Sequence, residues 1–270
     1  MIWGGSRGRS VLALGFFLAR RGVTAAIGLV LTLGCVAGFS GLALVFARRG
    51  RLLHMPSVPL LASSVLAFGV GILVAVAASS RVFRRDEDQG IRALLCARGV
   101  TTTGYVIARV AGIAAVLACL VGGGSALVGL VATLSAHGRQ SALHTAQTSV
   151  AAVAFGVAFA VTFAPVALAT LGARSRATGY LTLLAILIVP DLLEPTLRHV
   201  VAPAWIEVCS IPGALLALRA SLGSSGGCSL FLRAIVALLV IIVVALVVVR
   251  AELLRHHGTS VQPGTGGRQS

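Results

Sequence analysis

The chain has 270 residues, of which 57% are hydrophobic and only 11% charged, and its mean hydropathy is +1.01. A soluble globular chain carries about 25% charged residues, so 22 basic and seven acidic side chains cannot cover a water-facing surface of this size. Composition therefore excludes an ordinary soluble domain and places most of the chain in lipid.

The formal net charge of +15 comes from arginine alone, without a single lysine. A polyanion-binding protein would gather those arginines into a continuous patch. Here they punctuate apolar runs, as they do at the ends of membrane spans.

Residues 10–21 read as a short helix at the membrane surface. Leu12, Leu14, Phe16, Phe17 and Leu18 supply its apolar side, and Arg20 and Arg21 end it. Those two arginines also interrupt the apolar run, which separates this segment from a signal peptide.

A helix needs about 20 apolar residues to cross the hydrocarbon core. Six segments are expected to cross, at 23–47, 60–79, 104–135, 150–171, 178–193 and 230–249. The third is longer than one crossing needs, and Gly122, Gly123 and Gly124 mark where it tilts, bends or breaks. The fifth is the shortest, because Pro190, Asp191 and Glu194 follow its apolar run at once. It reads either as a broken crossing helix of the kind transporters use or as a marginal helix packed among longer ones. Gly28, Gly34 and Gly38 in the first span, with Gly69, Gly71 and Gly112 in others, predict close packing in a compact bundle.

Six crossings put both termini on one side. Fifteen of the 22 arginines then fall on the side of the N-terminus and the remaining seven opposite, a bias that makes the termini cytoplasmic. The cluster Arg48, Arg49 and Arg51 runs against it. The fold class is thus an all-α integral membrane protein: six transmembrane helices, an N-terminal interfacial helix and a cytoplasmic helix after the second span. Residues 1–257 form a single membrane domain. The tail 258–270, rich in Gly, Ser and Gln, lacks the apolar content to fold alone.

The cytoplasmic helix, at 86–98, is the most informative segment. It holds Asp86, Glu87 and Asp88, three of the seven acidic residues in the chain. Asp86 reads as the cap and Gln89 as its capping-box partner. Glu87 and Asp88 suit the positive end of the helix dipole, while Arg98 and then Gly99 suit its end. Ile91, Leu94, Leu95 and Arg98 recur at helical spacing, which gives one apolar face for pressing against something. A plain connector between two spans is the other reading of the same pattern.

The segment resembles the cytoplasmic coupling region of ABC-transporter permeases of the type-2 exporter class. Members show acidic residues, a Gly-Thr pair, a Leu-rich turn ending in Arg-Pro-Val, and a basic residue about ten positions later. Glu87 and Asp88 match the acidic start, Gly90 the glycine, and Leu94 and Leu95 the leucines; Ala97, Arg98 and Val100 match the end, and Arg109 the later basic position. Ile91 stands in place of the threonine and Gly99 in place of the proline.

The resemblance implies the membrane-spanning subunit of an exporter in the bacterial inner membrane, paired with itself or a similar permease. A separate ATPase would use ATP and Mg and dock on residues 86–98. The charge-poor cores of the spans suit an amphipathic or lipid-like cargo. Arg109 is expected near the inner membrane face, reaching headgroups or the preceding helix, with a place in the transport lumen as the alternative. A non-transporting scaffold and a secondary transporter are the competing classes.

No GxxxxGK[ST] loop, HExxH or GxSxG pattern occurs. The six histidines fall in loops or tails, so no metal or enzyme chemistry is expected of this chain. Apart from Arg109, the cores of the spans are nearly free of ionisable residues, which disfavours an ion-driven carrier.

None of the five cysteines lies in a CxxC pair, and Cys35 and Cys119 read as small buried side chains. Cys209 and Cys228 flank a short apolar-faced helix expected at 211–222, lying over the outer mouth of the bundle. Two readings remain for that pair, a disulfide in an oxidising compartment or two free thiols.

Overall fold

The computed structural model describes residues 23–49, 57–80, 82–91, 94, 97, 99–172, 176–197, 205, 208, 210–223 and 227–259. The surface helix expected at 10–21, the residues Leu95, Arg98 and Cys209, and the tail from residue 260 lie outside them.

Eight helices make up the described fold: α1 (Val23–Arg48), α2 (Ser57–Ser79), α3 (Val82–Asp88), α4 (Thr102–Ser135), α5 (Arg139–Leu171), α6 (Arg176–Leu197), α7 (Ile211–Gly223) and α8 (Cys228–Thr259). Five of them, α1, α2, α4, α5 and α8, are long and apolar enough to cross a bilayer. The chain is therefore an all-helical, multi-spanning membrane protein. The apolar part of α6, Ala177–Leu193, falls short of the other five.

Many serines and threonines of the spans bond back into their own helix, although the buried hydroxyls of Thr32, Ser40, Ser79 and Ser141 have no partner among the described residues. Ser125 Oγ donates to the Val121 carbonyl (2.6 Å), Thr133 Oγ1 to Gly129 (2.8 Å) and Ser149 Oγ to Thr145 (2.6 Å). In lipid, where no water competes, that closure lets a polar residue sit in a crossing helix.

α5 is the central helix. Two-thirds of its most apolar window, 67%, is buried, against 11% for α1, which turns most of its surface to lipid. Phe155, Phe159 and Phe163 recur every four residues and form one buried column. Phe159 stacks on Phe163 at 5.2 Å between centroids, and Phe68 of α2 packs on Phe155 and Phe159 at 6.3 and 6.1 Å.

Both neighbours of this column contain a π-helical turn, Leu66–Gly71 in α2 and Ala118–Gly122 in α4. Each extra residue lets a glycine approach α5. A Cβ on Gly71 would lie 2.6 Å from the Phe159 ring, and a Cβ on Gly156 would lie 2.9 Å from the backbone nitrogen of Gly122. The second contact is backbone against backbone, so no side-chain rotation could relieve it.

Several expectations change here. The third span does not break at its glycine run; it takes up the strain as a π turn and continues from Gly123. Of the first-span glycines, Gly28 packs on Val74 and Leu120, whereas Gly34 and Gly38 face open space. Cys119, within the π turn, is exposed rather than buried.

α7 packs against both α5 and α8, with Ala214 and Leu215 fully buried. Ser210, itself buried, starts it by accepting the Gly213 N–H at 2.9 Å. Cys228 is exposed at the start of α8, and Cys209, the other member of that pair, is outside the described residues.

Candidate functional site

The segment singled out by sequence is not one three-turn helix capped by Asp86. The helix is already under way at Val82 and ends at Asp88. Gly90 then adopts φ +65°, a conformation only glycine reaches cheaply, and its carbonyl accepts the Leu94 N–H at 3.1 Å as the chain turns helical again. Gly99, at φ +75°, closes this second piece. Thr101 caps α4 instead, its Oγ1 accepting the Gly104 N–H at 3.2 Å.

Asp86 cannot act as a cap because its carboxylate is taken. Arg109 donates Nε to Asp86 Oδ2 at 2.7 Å and Nη2 to Oδ1, forming a two-point ion pair. The Tyr105 hydroxyl donates to the same Oδ2. All three residues are buried, at 3% exposure for Asp86, 4% for Tyr105 and 6% for Arg109. Tyr105 and Arg109 stand four apart on α4, hence on one face, and the guanidinium lies 6.0 Å from the Tyr105 ring centroid.

The geometry satisfies the carboxylate on both oxygens, as a charge out of water requires. Arg109 thus reaches the preceding helix, one of the two places expected of it.

The same short helix is held from its other side. Phe83 is buried, packs 6.0 Å from the Tyr105 ring and donates its N–H to the Gly172 carbonyl at 3.4 Å. A Cβ on Gly172 would lie 2.6 Å from the Phe83 ring, so this corner after α5 accepts no larger residue. One residue beyond α2, the Ser80 hydroxyl meets the Tyr180 hydroxyl of α6 at 3.2 Å. α3 is therefore a wedge, fixed to α4 by charge and to the α5–α6 corner by packing.

Arg85, Glu87, Asp88 and Gln89 point away from this wedge and are exposed. Leu94, beyond the Gly90 turn, is exposed too, at 62%. Gly90 and Ile91 are half-buried. Of the residues read as a surface for a partner, Glu87, Asp88 and Leu94 are thus presented outward, while Asp86 belongs to the brace beneath.

No family model matches this chain, and neither does any curated protein. The site must be read from its own geometry.

The Asp86 carboxylate is fully engaged, and among the described residues no three metal-ligating side chains come together. α3 is thus joined to α4 through the Asp86–Arg109 ion pair and to the α5–α6 corner through Phe83. Sequence reading missed Tyr105, Phe83 and Gly172. Tyr105 was open to discovery, since an aromatic four residues before a buried arginine shares its face; the Phe83–Gly172 contact has no local signal.

Proposed function

We propose that this chain is the membrane-spanning permease subunit of an ATP-driven exporter of the ABC type-2 class, with both termini in the bacterial cytoplasm. ATP and Mg are used by a separate ATPase that docks on Glu87, Asp88, Gly90, Ile91, Leu94 and their neighbours. A second permease, identical or similar, completes the assembly. The chain itself performs no catalysis, and its cargo is amphipathic or lipid-like.

The observation that carries this reading is the exposed acidic and apolar surface mounted on a buried, fully paired brace. A surface that only connected two spans would not need one. Asp86 is committed to Arg109 and Tyr105, which leaves it unsuited to the proton traffic of a secondary carrier. α6 is taken as the sixth crossing: its apolar part, Ala177–Leu193, spans about 26 Å, and local thinning of the bilayer makes up the difference from a hydrocarbon core of about 30 Å.

The chain purified from its native membrane is expected to carry a Mg-dependent ATPase whose turnover, after reconstitution into liposomes, rises when the cargo is supplied. An associated ATPase with turnover indifferent to every lipid-like solute would favour the scaffold reading. Absence of any ATPase would end both.

A further inference from the structure

A cavity of about 430 Å³ opens between α5, α6, α7 and α8, walled by Val166, Ile186, Pro190, Ile211 and Val244 among others. Its size falls in the range of about 300–1,000 Å³ typical of small-molecule sites. The α6 wall runs from Thr182 to Pro190 and the α8 wall from Val240 to Val248. At 1.5 Å per residue each is about 12 Å long, close to the roughly 15 Å that one lipid chain occupies in half a hydrocarbon core. The surrounding residues Leu181, Leu184, Val243 and Val247 are exposed on crossing or apolar helices, so the slot faces bilayer hydrocarbon.

Two polar side chains line it, and neither asks anything of a ligand. Thr170 Oγ1 donates to its own helix at Val166 (3.0 Å) and Ala167 (3.2 Å), and Thr182 Oγ1 donates to Thr178 (2.7 Å). The backbone differs. Pro190 has no N–H to give the Ile186 carbonyl one turn earlier, and both residues are in the wall. That carbonyl therefore lacks its usual helical donor, and an acceptor left unmet in an apolar setting is costly.

We propose that this cavity binds one alkyl chain of a single-chain amphiphile bearing a hydroxyl or amide donor, the chain lying along α8 and the donor meeting the Ile186 carbonyl. The site stands on the slot alone and does not depend on an ATPase.

The test uses the full chain in lipid nanodiscs with a diazirine-bearing hexadecanol as probe, and its methyl ether as the donor-less control. Photolabelling is expected on the α6 and α8 walls, suppressed by unlabelled hexadecanol, and about tenfold weaker with the ether. Filling the slot with Ala169→Phe and Ala245→Phe should abolish it. Pro190→Ala, which returns an N–H to the Ile186 carbonyl and leaves the slot open, should make alcohol and ether label alike; it carries the test if the double variant fails to insert. Labelling spread evenly onto the lipid-facing Val30 and Leu33 of α1, or unchanged in the filled variant, would overturn the site. Equal labelling by alcohol and ether in the parent chain would overturn the donor.

Discussion

Replacing Arg109 with alanine is expected to destabilise the solubilised protein by about 3–5 kcal/mol, because it strands the Asp86 carboxylate in an apolar setting. Thermal unfolding in detergent should register a fall in Tm of roughly 10 °C. Arg109→Lys keeps the charge but cannot match both oxygens at once, so it should recover only part of the loss. Tyr105→Phe removes one donor from a carboxylate that retains two, and should cost about 1–3 kcal/mol. The paired change Asp86→Leu with Arg109→Met should return stability close to the parent value, since apolar residues of similar volume commonly replace a buried ion pair without loss. Equal instability in the pair and in Arg109→Ala would mean that shape, rather than stranded charge, sets the cost.

Reversing the exposed charges separates docking from folding. Glu87→Arg with Asp88→Arg changes two solvent-facing side chains, and stability should shift by no more than about 0.5 kcal/mol per residue. Under the proposed function, association with the ATPase should weaken by about tenfold or more, because like charges then meet across the contact. Membrane insertion should be unchanged. Wild-type binding by this variant, measured on the purified complex, would remove the acidic pair from the contact.

Much of the architecture was legible because lipid imposes a simple rule: a crossing helix must be long and apolar. The runs at 23–47, 60–79, 104–135, 150–171 and 230–249 lie within the five helices of sufficient length. The bounds were less legible. α5 begins at Arg139 and α8 runs to Thr259, both past their apolar cores, because backbone hydrogen bonds propagate a helix into residues that hydropathy alone does not enlist.

The position of α7 was hidden for a different reason. Its leucines announced an apolar face, but which surfaces bury that face depends on α5 and α8, set by residues remote in sequence. The π turns were half legible: glycines at 69, 71 and 122 marked the places, while the partner surface on α5 was needed to give the form.

The candidate site divides in the same way. The acidic cluster stood out by its rarity, three of seven acidic residues in a row, and Arg109 by its place near the start of an apolar span. Their pairing did not, since Asp86 looked like a helix cap as long as the helix was taken to begin there. The helix in fact starts four residues earlier, at Val82, which carries Asp86 round to face α4. A buried arginine in a span needs a counter-charge, and in so acid-poor a chain that argument alone nominates the nearest carboxylates.

The contact proposed for the ATPase is tested most directly by cross-linking from Leu94, the exposed apolar residue that follows Glu87 and Asp88 in the same segment. In a background with the native cysteines replaced, Leu94→Cys should form an adduct with the ATPase in native membranes. Leu134→Cys, equally exposed at the far end of α4, should form none. An adduct from position 134 and not from 94, or from neither while the complex remains intact, would contradict the account.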